Sequence, residues 1–120
     1  MILVHERFAF ALIALGLVGC AWCFLDLRQK GSLSGGVRAF LVLSWAAVVV
    51  QDLLGVVLLA QGHRPAHNLL LHIMYGVLSA LVLPVAWGIT AVAPARREAL
   101  ILGLGSLLFA GLTFRALVVA

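Results

Sequence analysis

Four apolar stretches separated by short polar breaks leave this chain very few ways to fold, because each is near the roughly 20 residues that a tilted helix needs to cross a bilayer. The predicted spans run from Phe8 to Leu27, from Ala39 to Ala60, from Leu69 to Val92 and from Ala99 to Ala120. Between them, residues 30–36 form a flexible Gly/Ser turn, residues 61–65 a Gly/Pro break, and residues 93–97 restart the last helix beside Pro94. Connectors this short force each helix to lie antiparallel beside the next. The prediction is an all-α integral membrane protein, a four-helix up-down-up-down bundle forming one transmembrane domain over residues 1–120.

Composition excludes the alternatives. The chain is 65% hydrophobic and 10% charged, whereas a soluble domain is about half apolar and about a quarter charged. Eight Lys and Arg against four Asp and Glu give a net charge of +4, and these charges gather at span ends, where they set topology. No basic patch interleaved with aromatics is present to grip nucleic acid. Nor is there a P-loop, a serine triad or a His-Glu-x-x-His element, which argues against nucleotide and hydrolytic chemistry. Arg28, Lys30, Arg38, Arg96 and Arg97 fall at one end, with Arg7, Arg64 and Arg115 at the other. The excess of positive charge inside then predicts a multi-pass protein of a bacterial-type inner or plasma membrane, with both termini outside.

The same spans set the depth of every polar group. His5, Glu6 and Arg7 open the first span, and His63, Arg64 and His67 return to that surface between spans two and three. His72 lies about one turn inside the third span, and Asp52 is about 12 Å deep in the second at the helical rise per residue. A charge in the bilayer interior costs a few kcal/mol. Asp52 is therefore expected to face protein with Arg115 or His72 as partner, in a buried polar network that includes Gln51 and Tyr75. Helical spacing places His72, Tyr75, Gly76 and Ser79 on one stripe and Ser44, Ala47, Gln51 and Gly55 on another. Gly16 with Gly19, and Gly103 with Ser106, offer close helix approach.

All four histidines thus lie at one end, and that grouping predicts a cofactor. Bundle cores hold haem between side chains of facing helices. In an up-down bundle helices one and three are diagonal, so His5 and His72 are the expected axial ligands of a b-type haem, with His67 the substitute if His5 is too shallow. Met74, two residues from His72, points elsewhere. Arg7, Arg64 and Arg115 are the expected partners of the haem propionates, Asp52 or Gln51 the group that orients an imidazole, and a quinone a second candidate ligand.

Val4-His5-Glu6-Arg7-Phe8, Gln51-Asp52-Leu53-Leu54-Gly55 and His72-Ile73-Met74 together resemble the small bacterial four-span membrane proteins of the cytochrome b-like type. Those carry a histidine opening helix one, a Gln-x-Leu-Leu-Gly stretch in helix two and His-x-Met in helix three. The resemblance covers most of the chain and implies a haem-binding electron-transfer role. It breaks at Val49, which stands where the pattern has a second-helix histidine.

Three other readings compete. Cys20 and Cys23 have the Cys-x-x-Cys spacing of a redox pair, but no second pair is present to relay electrons, and apolar surroundings disfavour the thiolate. His63 and His67 are spaced to share a helical face and, with His5, suit a metal ion. Finally, a chain with so little mass outside the bilayer suits a cofactor-free accessory subunit of a respiratory, photosynthetic or transport assembly, or a homo-oligomer. In that case Asp52, His72 and Arg115 would form a structural or proton-conducting network. Trp22 and Trp87 fall near a membrane interface, and Pro84 is expected to kink the third helix and open a cavity.

Overall fold

The structure is a computed structural model that describes residues 2–63 and 68–119, and among those residues it contains four α-helices and no strand. Helix α1 spans Ile2–Lys30, α2 Gly35–Ala60, α3 Leu69–Thr90 and α4 Ala95–Val118. All four are long and apolar enough to cross a membrane. The expected all-α membrane bundle is the fold found.

Three helices begin before their apolar stretches, α2 at Gly35 rather than Ala39 among them, while α3 stops at Thr90, short of the expected Val92. Helix α1 begins at Ile2 rather than Phe8 and includes His5, Glu6 and Arg7, while α4 begins at Ala95 rather than Ala99. Apolarity stops where the hydrocarbon stops, but backbone hydrogen bonding continues into the headgroups. At 29 residues, α1 is about 43 Å long, well over the ~30 Å of hydrocarbon.

Local chemistry closes each turn. Gly31, at φ +71°, ends α1 by donating its N–H to Leu27 O at 3.0 Å, the left-handed stop that glycine adopts without strain. Ser34 caps α2 by accepting from Val37 N. The same turn is tied back to α1, since Asp26 Oδ2 accepts from Ser34 N at 2.9 Å. Asn68 caps α3 through Leu71 N, and its own N–H reaches Val119 O at 3.1 Å, joining the start of α3 to the end of α4.

The four seams of the bundle are unequal. Between α1 and α4 the backbones nearly touch: a Cβ at Gly16 would lie 2.7 Å from Ala110 Cβ, and one at Gly19 would lie 2.6 Å from Ser106 Oγ. Ser106 Oγ donates to Gly16 O at 2.8 Å. Lipid tails are as apolar as leucine, so close packing and such hydrogen bonds, rather than hydrophobic burial, hold membrane helices together. The α2–α3 seam is the loosest of the four. Trp45 bridges it midway, donating Nε1–H to Ala80 O at 3.1 Å.

Filling is equally uneven along the axis. Toward the basic end, Cys23, Leu33, Val37, Leu41, Leu83 and Leu102 form a continuous buried core. Leu12, Val48 and Phe109 continue it to mid-bundle. Beyond them, toward the histidine end, the inward positions are occupied by Ala9, Gly55, Gly76 and Ala116, which are too small to meet. That half of the bundle is hollow. Helix α3 runs unbroken through Pro84, which does not line the hollow, so small side chains open it and not the expected proline kink.

Candidate functional site

The hollow is a cavity of about 580 Å³ walled by all four helices, within the few hundred to a thousand Å³ usual for cofactor pockets. Leu12 and Val48 lie at its floor, and His5, Gln51, Asp52 and His72 supply polar atoms to its walls. Val56 on α2 and Ile73 and Val77 on α3 line it while also facing outward, at 61%, 42% and 51% exposure. The cavity therefore opens sideways through the loose α2–α3 seam. His63 and Leu117 mark its end nearest the helix termini.

His5 and His72 are brought together across it, from α1 and α3, with ring centres 6.2 Å apart and planes at 75°. His72 is held by its far nitrogen, because Nδ1 lies 2.8 Å from Ala116 O on α4. A carbonyl only accepts, so Nδ1 carries a proton, which in the neutral imidazole leaves the lone pair on Nε2. His5 is held by its backbone: Gln51 Nε2 donates to His5 O. Its ring lies over Gly55, where a Cβ would be 3.3 Å from His5 Cε1. His5 Nδ1 and Gln51 Oε1 are both buried with no hydrogen-bond partner among the described residues.

The expected Asp52 network does not assemble. Asp52 lies against α3, where a Cβ at Gly76 would be 3.4 Å from its Oδ1. It makes no hydrogen bond or ion pair with another described residue. Arg115 instead sits over the Tyr75 ring at 5.7 Å from its centre, a cation–π contact. Neither Arg7 nor Arg115 lines the cavity. Arg64 and His67 lie outside the described residues. Met74 is 41% exposed and faces away, as its spacing from His72 requires.

The competing sites are now placed. Cys23 is fully buried in the α1–α4 seam, a Cβ at Gly103 coming within 3.2 Å of its own Cβ, and both cysteines are free thiols. That setting is one of packing. His63 lies at the cavity's end, but no group of three or more metal-ligating side chains occurs among the described residues. Sequence reasoning did not anticipate Glu6 and Thr113 as cavity walls. For Thr113 the available signal was its i, i+3 spacing from Ala116, which needed the helix pairing to be used; for Glu6, next to His5, helical spacing offered none.

A haem fits this donor set in one specific respect. Imidazole nitrogens are the protein ligands a b-type haem iron would take, and His5 and His72 bring two of them to one cavity with ring centres 6.2 Å apart. A porphyrin supplies four of the six iron ligands, so the absence of a third protein donor beside them is no obstacle. Comparison with protein-family models, curated proteins and solved structures finds no match, so the cytochrome b-like resemblance stands on the three short motifs alone.

Proposed function

We propose that the chain is a small integral membrane electron-transfer protein, or a subunit of one, that holds haem b between His5 and His72. The observation that carries this reading is the pair itself: two imidazoles from diagonal helices, ring centres 6.2 Å apart, lining one cavity. The hydrogen bond to Ala116 O supports it further, since metal-binding histidines are oriented by a bond from their other nitrogen to a carbonyl or carboxylate. Bound haem supplies a one-electron couple. The chain's own residues anchor the His72 ring through Ala116 O, close the cavity floor with Leu12 and Val48 and leave an apolar edge at Val56, Ile73 and Val77.

The second reading is a quinone head group in the same cavity, favoured by the lateral opening beside Val56, Ile73 and Val77. Either ligand exchanges electrons with a partner membrane subunit or a second copy in a bacterial-type plasma membrane. The charge excess of Arg28, Lys30, Arg38, Arg96 and Arg97 supports both termini outside.

Haem content per chain in His5→Ala, His72→Ala and Met74→Ala proteins, expressed with ample haem and purified in detergent, tests the assignment. Both histidine variants are expected to lose the sharp reduced bands of a six-coordinate haem, while Met74→Ala keeps them. Retention of those bands by both histidine variants would overturn the ligand pair.

A further inference from the structure

A second cavity lies at the opposite end of the molecule, where α1 ends and α4 begins. It measures about 450 Å³ and is lined by Leu27, Pro94, Arg96, Arg97 and Leu100. Two guanidiniums thus stand over an apolar wall. Of the other basic residues at this end, Arg38 is ion-paired with Glu98 and Lys30 Nζ lies 4.0 Å from Asp26, while Arg28 is exposed and does not line the cavity. Arg96 and Arg97 make no ion pair or side-chain hydrogen bond with another described residue, and both are exposed.

The cavity also has a direction. Leu100 forms part of its wall, and Leu104 and Leu107 follow one and two turns on along the same face of α4, at 43%, 51% and 46% exposure respectively. An apolar track therefore leads from the two arginines down toward mid-membrane. A fork of guanidinium N–H groups matches phosphate oxygens in geometry and charge. Basic pockets between membrane helices take anionic lipid head groups in this way.

We infer that this cavity binds the phosphate of an anionic phospholipid, Arg96 and Arg97 engaging the phosphodiester while an acyl chain runs along Leu100 and Leu104. The ligand class is a phosphate ester attached to hydrocarbon, which distinguishes it from free phosphate. The site is independent of the histidine cavity and of the haem reading.

Native mass spectrometry of the full chain in detergent tests it, with phosphatidylglycerol, phosphatidylcholine and inorganic phosphate titrated separately. Retention of phosphatidylglycerol is expected to exceed that of phosphatidylcholine and to fall about thirty-fold in an Arg96→Gln/Arg97→Gln protein, about five-fold for each charge removed. Arg7→Gln, at the other end, is expected to bind as the unsubstituted chain does. Because both arginines are exposed, the double variant should keep the helical circular dichroism of the unsubstituted chain. Equal binding of the two lipids, unchanged retention in the double variant, or inorganic phosphate binding as tightly as phosphatidylglycerol would each overturn the assignment.

Discussion

Gly55 determines where the His5 imidazole sits. With no Cβ on α2 at that point, the Cε1–Nε2 edge of the ring comes close to the helix, and any larger side chain would meet His5 Cε1. Gly76 does the same for Asp52 across the cavity. These two positions hold polar groups by leaving room for them, so their substitution displaces a side chain without removing any chemistry. Gly55→Leu is accordingly expected to lower bound haem at least as far as His5→Ala does, with the helical circular dichroism unchanged. The check is the reduced absorption spectrum at equal protein concentration, and a full complement of haem in Gly55→Leu would show that the ring position does not matter. The role of Gly55 was only partly legible in the sequence. Its stripe with Ser44 and Gln51 placed it inside the bundle, but which ring it faced depended on how far α1 runs beyond the hydrocarbon.

Among the elements, α1 and α4 form the rigid half. Gly16, Gly19, Gly103 and Ser106 were recognisable as close-packing residues from their spacing alone, and the structure joins them into one seam across two helices distant in sequence. A Cβ at Gly16 meets Ala110 Cβ, Phe109 Cδ1 and Ser106 O all within 3 Å, so a larger residue must push the helices apart. Gly16→Val is expected to cost about 1–3 kcal/mol, the usual range for overpacking. Gly111→Ala, with nothing within 4 Å of its added Cβ, should keep or slightly raise stability, since alanine is the better helix former. Unfolding in detergent measures both, and equal stability for the two variants would mean that the seam is not what holds α1 to α4. The loose α2–α3 seam was not legible in advance. Both helices carry small residues on their inner stripes, and only the assembled bundle shows that Gly55 and Gly76 flank a hollow while Gly16 and Gly103 meet partners.

At the scale of the molecule, the basic half is filled and the histidine half is not. Span hydropathy revealed the four helices, and connector length revealed their antiparallel order. Polar depth was enough to predict that His5 and His72 share an end. It was not enough to predict their partners: Asp52 and Arg115 were expected to pair at similar depth, yet Arg115 sits over Tyr75 and Asp52 lies against Gly76. Depth along an axis says nothing of angle around it, and two groups at one level on different faces never meet. The hollow is what leaves room for a ligand beside the His5–His72 pair. The most direct measurement is the absorption spectrum of the unsubstituted protein, purified in detergent after expression with ample haem, first oxidised and then reduced with dithionite. One haem per chain with a strong Soret band and sharp reduced bands is the predicted result; a folded, colourless protein that takes up no added haem would contradict it.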